Sequence, residues 1–232
     1  MTAQFEAKIV RLSESKHIAA GKQQFVYEHP DDPTSLIKIF KPHKCDAVGQ
    51  KPYKPDTNGV GKPRFRNKFR RATAYKGFLR EFREYLEVKA SCQTTDPLLP
   101  ISEIKGLVAT DLGLGMVHER ISGADGTLSP TLASLARSGQ LHQYHRMAID
   151  EFFERMIALH ITAGDLNPHN IVYQSGDEGS GRAVCVDGFS KKQKIPYLRF
   201  LKRLNTRELV RMKGELIVKL DAISEGYMKK NM

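Results

Sequence analysis

Three polar residues in the second half of the chain have the spacing of a phosphoryl-transfer site. Asp165 lies five residues before Asn170, an apolar segment follows Asn170, and Asp187 ends a second apolar segment just before Gly188. Such a reaction needs one carboxylate for the attacking hydroxyl, and an amide and a second carboxylate for the magnesium that bridges the phosphates. The spacing therefore predicts that Asp165 is catalytic and that Asn170 and Asp187 bind magnesium. Taken alone, Asp165 and Asn170 are equally well explained as turn or capping residues.

A lysine inside an apolar segment is the next candidate. Lys38 interrupts the run 36–40, and a buried ammonium group is costly unless it is paired. A nucleotide phosphate and a glutamate from the helix that follows would supply partners. Glu81 is the first candidate for that glutamate, and Glu84, one turn later, is the second; an ordinary surface charge is the alternative for Glu81.

The apolar pattern predicts the elements that must carry these residues. The first 41 residues are β-rich, with a strong turn at 28–33 ahead of the strand that holds Lys38. Residues 42–63 contain four prolines and no apolar periodicity, which is typical of an inserted loop. Residues 65–91 have a helical period that includes Glu81.

The remainder of the chain has the pattern of two further pairs of strands and three helices. The predicted strands cover residues 106–110, 115–121, 171–173 and 183–186. Ser129-Pro130 opens a short helix with Ser129 as its cap, residues 141–160 form an amphipathic helix, and the last 40 residues are basic and helical. The predicted core-facing side chains of the second helix are Leu141, Tyr144, Met147, Ala148, Phe152, Met156 and Leu159, and those of the last helix include Leu198, Leu201, Leu204, Leu209, Met212, Leu216, Ile217 and Leu220.

The candidate residues, in this order, resemble the stations of the protein kinase-like superfamily. Residues 19–26 look like a degraded glycine-rich loop, so the resemblance implies that Gly21 and Val26 contact a nucleotide. Lys38 looks like the strand lysine that holds the α- and β-phosphates, and Glu81 looks like its helix partner. These likenesses imply ATP and Mg²⁺ as cofactors.

The same resemblance continues in the second half. Residues 165–170 look like a catalytic loop, and Asp187-Gly188-Phe189 looks like a permuted magnesium-binding triplet. Glu119 has the place of a hinge whose backbone would hold adenine, although a plain strand-end charge explains it equally well.

Within this superfamily the chain is similar to the YrbL family, named for a protein of the PhoP regulatory network. The resemblance implies an α+β, two-lobed, protein kinase-like fold over a single domain, residues 1–232. A small antiparallel β-rich lobe would span roughly residues 1–121 with the basic insertion 42–63, and a reduced helical lobe roughly residues 122–232. The pieces that carry the likeness are Val26–Pro30, Ile37–Ile39, Arg80-Glu81 and Asn167–Ile171.

Departures from the kinase pattern affect the expected acceptor. The glycine-rich loop keeps one glycine of three, Ala163-Gly164 replaces the usual His-Arg, and no Ala-Pro-Glu match follows Phe189. The region that binds a protein substrate in an ordinary kinase is therefore mostly missing. We expect a small-molecule, glycan or lipid-head acceptor.

Charge leaves further functions open. The chain has 37 Lys and Arg against 26 Asp and Glu, a formal net charge of +11, which favours anionic partners. Residues 61–80 carry eight basic and no acidic side chains, and residues 191–213 form a second basic run. Three interpretations follow: an ATP-dependent phosphotransferase, a catalytically weak pseudokinase that binds nucleotide and regulates, and a basic nucleic-acid-binding module. Weak, non-specific polyanion binding is compatible with all three.

The compartment is inferred from cysteine use and hydropathy. Three cysteines without a CxxC pair make a disulfide framework or a zinc site improbable and favour a reducing cytoplasm. No apolar run is long enough for a membrane span, and residues 1–10 lack the apolar core of a signal peptide. We expect a cytoplasmic protein with no integral membrane segment.

Overall fold

The structure, a computed structural model, describes residues 9–42, 75–91, 99–176, 180–189 and 201–231. Contacts divide the described residues into two compact units. The first unit contains the residues up to Leu79 together with Ile104–Arg120, and the second contains Arg80–Glu103 and the residues from Ile121 onward.

An antiparallel sheet forms most of the first unit. In the described residues its five strands are β1 (Ala19–Ala20), β2 (Gln24–His29), β3 (Asp32–Phe40), β4 (Ile104–Thr110) and β5 (Gly113–Glu119), in the order β1-β2-β3-β5-β4. Pro30-Asp31 turns β2 into β3, as the proline and aspartate pattern predicts. Central strand β3 carries Lys38.

The two faces of β3 have different neighbours, because successive side chains point to opposite faces of a sheet. Ile37 and Ile39 belong to an apolar cluster with Val10, Leu12 and Tyr27. Phe40, on the Lys38 face, packs against helix α1 (Lys76–Ser91), where its ring centroid lies 4.6 Å from that of Phe78. The first turn of α1 therefore covers the face of the sheet that carries Lys38.

The second unit is mainly helical. It contains α2 (Leu132–Arg137), α3 (Gln143–Ala158), the hairpin β6 (Ile171–Ser175) and β7 (Gly181–Cys185), and the long helix α4 (Lys202–Asn231). Helix α3 packs against β7 and α4, and α2 packs against α4. The predicted α+β class with an antiparallel sheet near the N-terminus is confirmed.

Three details of the predicted helices are wrong. Thr131, not Ser129, caps α2, since its hydroxyl accepts from the backbone N–H of Ser134 at 3.1 Å. Tyr144 and Met147 of α3 are exposed; the buried face is rotated toward His145, Ile149 and Phe153. Leu201 and Leu204 are exposed as well; the buried stripe of α4 starts at Asn205 and continues through the predicted Leu209, Met212, Leu216 and Leu220.

None of the helices in the described part of the chain is sufficiently long and apolar to cross a membrane.

Candidate functional site

The loop that carries Asp165 and the segment that carries Asp187 are joined through Gly188. The backbone N–H groups of Gly164 and Asp165 donate to the carbonyl oxygen of Gly188 at 2.8 and 3.1 Å. The side-chain amide of Asn170 donates to the carbonyl oxygen of Asp165 at 3.0 Å. The structure thus brings together the three polar residues that the sequence spacing singled out in this half.

Strand register explains why these residues meet. Ile171 pairs with Cys185 at one end of the β6–β7 hairpin, and the N–H of Val186 donates to the carbonyl oxygen of Asn170 at 2.8 Å. Asn170 precedes one strand and Asp187 follows the other, so antiparallel pairing places both at the same end. Phe189 is fully buried and anchors the segment just beyond them.

Asn170 and Asp187 carry oxygen atoms of the kind that magnesium prefers. The Asn170 amide nitrogen donates to the carbonyl oxygen of Asp165 at 3.0 Å, so Oδ1 is the acceptor of this side chain, and Asp187 Oδ1 accepts from the N–H of Gly188 at 2.7 Å. In the described part of the chain no group of three or more His, Cys, Asp or Glu could hold a metal. One carboxylate and one amide oxygen match an ion that relies on phosphates and water for its other ligands.

Buried side chains hold the segment that leads into Asp165. Thr162 donates from its backbone N–H and its hydroxyl to Oε1 of Glu84, at 2.9 and 2.7 Å. Asn205 of α4 donates from its side-chain nitrogen to the carbonyl oxygen of Ile161 at 3.1 Å. His160, at the start of this segment, has a φ of 52°, a strained left-handed conformation for a residue other than glycine.

Lys38 lies in the middle of the first-unit sheet. It pairs in register with Val26 of β2 on one side and with Met116 of β5 on the other. Only 6% of Lys38 is exposed, so the predicted burial of this lysine is confirmed. Burial, and secondly the charge of Lys38, hold the pKa of His118 well below its ordinary value.

The other residues predicted to bind the nucleotide lie at the edges of this sheet. Gly21 is exposed in the turn between β1 and β2, and its N–H donates to the carbonyl oxygen of Gln24 at 2.9 Å. Half-buried Glu119 ends β5, opposite Ser35 of β3. At Ile121, two residues later, the chain returns to the second unit.

Glu81 and Glu84 are both buried on α1, and their spacing of three places them on one helix face. By the division of contacts both belong to the second unit. Glu84, the second candidate for the lysine partner, binds Thr162. The pairing of Lys38 with Glu81 stays a prediction.

Sequence reasoning missed two residues of this region, Thr162 and Asn205. Asn205 carried a signal, because it continues the helical spacing of the buried residues Leu209, Met212 and Leu216. A polar residue in an apolar stripe needs a partner, and Ile161 provides it. Thr162 had no comparable pattern.

Several predicted features fall largely or wholly outside the described residues. The insertion 42–63 is described only at residue 42, and most of the basic run 61–80 and the first part of the run 191–213 are not described.

Comparisons with known proteins give one family and a distant likeness to solved structures. No curated protein matches the chain. One of the matching solved structures is the crystal structure of Rad53 1-466 in complex with AMP-PNP, with a TM-score of 0.47 and 14% sequence identity. The match covers 88% of this chain and 46% of that chain, so this chain spans less than half of that structure's length.

The family comparison covers most of the chain. A model of the family described as PhoP regulatory network protein YrbL matches residues 10–221, from before β1 into α4. The matched range contains every candidate site residue in both units. This chain therefore belongs to the YrbL family.

Proposed function

We propose that this protein is a kinase-like phosphotransferase that binds ATP and Mg²⁺ and transfers phosphate to a hydroxyl group of a small-molecule, glycan or lipid-head acceptor. The observation that carries the proposal is the cluster of Asp165, Asn170 and Asp187, joined by hydrogen bonds through Gly188. Phosphoryl transfer uses a carboxylate that orients the acceptor hydroxyl and nearby oxygen ligands that hold magnesium.

The cluster assigns one task to each side chain. Asp165 is exposed, and its backbone is held at both N–H and C=O, so its carboxylate can meet an incoming hydroxyl in a fixed orientation. Asn170 Oδ1 and an oxygen of Asp187 would hold Mg²⁺, which neutralises phosphate charge when bound.

The first unit would supply the contacts with the nucleotide. Lys38 would contact the α- and β-phosphates and Glu81 would orient it. Val26 would lie against the base, and the backbone after Glu119 would hold adenine. The position of Lys38 in the central strand β3, where 6% of the residue is exposed, supports its part, because a charge at a fixed and largely desolvated position interacts more strongly with phosphate than one in water.

One observation favours the alternative, a pseudokinase that binds nucleotide and transfers little phosphate. Gly21 is the single glycine of the degraded glycine-rich loop, and its N–H donates to the carbonyl oxygen of Gln24. Backbone N–H groups of such loops usually donate to the nucleotide phosphates. Because the N–H of Gly21 already donates to Gln24, it is less available to a phosphate.

Thermal unfolding with ATP, in the presence and absence of Mg²⁺, tests nucleotide binding. At about 100 times the Kd, ATP should stabilise the folded protein by roughly 2.7 kcal/mol. Asp187→Asn should reduce the magnesium-dependent part of this shift. Asp150→Asn, a change of the same type at a surface pair with Lys213, should leave it intact. The absence of a shift in the wild type would remove both the phosphotransferase and the pseudokinase.

ATP hydrolysis distinguishes the phosphotransferase from the pseudokinase, because water can replace an unknown acceptor. Turnover above background, or labelling of an acceptor in a metabolite extract by [γ-³²P]ATP, supports the phosphotransferase. Binding without either outcome supports the pseudokinase.

A further inference from the structure

The residues directly before Asp165 lack side chains that could fix it. Ala163 and Gly164 stand where kinases carry His-Arg; alanine has only a methyl group and glycine has no side chain, so neither offers a side-chain hydrogen bond. The structure nevertheless holds the backbone on both sides of Asp165, which requires that other residues anchor this loop.

The anchor on α1 is Glu84. Both bonds from Thr162 end on one carboxylate oxygen, Oε1, at 2.9 and 2.7 Å, and both residues are buried. Hydrogen bonds to a carboxylate are stronger than neutral ones, and more so out of water. Thr162 is three residues before Asp165, so this contact fixes the base of the loop.

The anchor on α4 is Asn205. Its side-chain nitrogen donates to the carbonyl oxygen of Ile161 at 3.1 Å and lies 3.3 Å from Nδ1 of His160. Asn205 is 2% exposed. A buried amide held by the backbone of a loop secures the loop's position as well as its own hydrogen bonding.

Burial changes abruptly along this segment. Ile161, Thr162 and Ala163 are buried, whereas Gly164 and Asp165 are exposed. The chain therefore leaves the core directly before Asp165, with its buried part held by two helices and its exposed part held by Gly188.

We propose that Glu84 and Asn205 are positioning residues, which fix the loop of Asp165 from α1 and α4 in place of a side chain next to the aspartate. The effect on phosphate transfer rests on the proposed function. The effect on the loop does not, and it can be measured without nucleotide.

Hydrogen exchange of the Thr162 amide, followed by NMR, is the direct test. Glu84→Ala should accelerate this amide by about tenfold or more relative to the β6–β7 amides, because a buried donor loses its acceptor. Glu84→Gln keeps a side-chain oxygen as acceptor and should restore most of the protection. Glu87→Ala, on the same helix at a surface pair with Arg83, should have no effect.

A purely structural role for Glu84 would produce a different pattern. Exchange would then rise equally at Thr162 and across the β6–β7 hairpin, and that result, or an unchanged Thr162 amide, overturns the proposal. Asn205→Asp is nearly isosteric but removes the donor to Ile161. It should likewise accelerate amide exchange in residues 161–165 more than in the β6–β7 hairpin.

Turnover provides the second measurement. Glu84→Ala should lower the kcat of ATP hydrolysis more than it weakens ATP binding, whereas Glu84→Gln should lie near the wild type. Wild-type protein that binds no ATP would refute the proposed function, while the exchange of Thr162 would still decide whether Glu84 positions the loop. Equal losses in kcat and binding, with exchange of the loop unchanged, would overturn the positioning role.

Discussion

The carbonyl oxygen of Asp165 lies 2.4 Å from the point where a Cβ atom on Gly188 would stand. Gly188 also has a φ of 82°, which side-chain-bearing residues rarely adopt. Two independent constraints therefore require glycine next to Asp187. Adding a methyl group at position 188 therefore tests whether the loop of Asp165 must lie this close to the segment of Asp187.

Gly188→Ala should destabilise the protein by at least about 2 kcal/mol, from backbone strain plus the clash with Asp165. It should also weaken magnesium-dependent nucleotide binding, since the clash separates Asp187 from the loop. Gly126→Ala is the matched control, because Gly126 has a φ of 75° but no atom within 4 Å of its Cβ position. Urea unfolding of both variants measures the difference; equal losses would show that the contact with Asp165 contributes nothing.

The substitutions Asp165→Asn and Asp187→Asn should have different effects on turnover and on nucleotide binding. Asp165→Asn should lower turnover by about 10²- to 10⁴-fold, the usual contribution of general-base or positioning help, and leave nucleotide affinity nearly intact. Asp187→Asn should weaken magnesium-dependent binding as well as turnover. Steady-state kinetics with equilibrium binding on each variant are sufficient. Hydrolysis that Asp165→Asn does not change would refute the assignment of the catalytic aspartate.

Stability should fall as the pH is lowered from 7 to 5. Burial is the main cause that lowers the pKa values of His118 and His145 in the folded protein. The unfolded chain therefore takes up protons below its ordinary histidine pKa, near 6.5, before the folded protein does. His118 should reduce the free energy of unfolding by up to about 1.4 kcal/mol per pH unit in that range, and His145 should add to the fall in the same direction.

Urea unfolding at several pH values measures this slope. His118→Gln should make it shallower. The pKa values of Asp111 and Asp125 are lowered by hydrogen bonds from Ser13 and Thr127. Their contributions are lost only at more acidic pH and do not interfere. An unchanged slope in His118→Gln would contradict the assignment.

Binding to polyanions should be weak and sensitive to salt. The chain has a net charge of +11, and Lys202, Arg203 and Arg207 are exposed at the start of α4. For duplex DNA, log K should fall with log[salt] by roughly 0.9 for each phosphate neutralised. Fluorescence anisotropy with DNA duplexes of unrelated sequence measures this. Tight, sequence-selective binding at high salt would instead favour a nucleic-acid-binding module.

Much of the fold was predictable because local patterns determine it. The turn at Pro30-Asp31, the burial of Lys38 and the hairpin that follows Asn170 depend on residues near in sequence. One edge of the α3 face was mispredicted: Tyr144 is exposed, whereas His145 is buried with its ring centroid 4.3 Å from that of Tyr173 in β6. Apolarity alone does not encode that choice.

The candidate site also contains residues that local sequence predicts and contacts that it does not. Spacing was enough to single out Asp165, Asn170 and Asp187, since their loops flank one hairpin. The bonds of Thr162 with Glu84 and of Asn205 with Ile161 join residues 78 and 44 positions apart. Contacts over such distances arise from tertiary packing, which a single sequence does not display.

Calorimetric titration with ATP tests the proposed function most directly, since that proposal gives Lys38 the nucleotide phosphates and Asp187 the Mg²⁺. The wild type should bind ATP more tightly with Mg²⁺ than without. Lys38→Met should weaken binding in both conditions, while Lys89→Met, at an exposed position of α1, should not. Asp187→Asn should remove the effect of Mg²⁺ and preserve the metal-free affinity. A wild-type protein that takes up no ATP with or without Mg²⁺ would contradict the account.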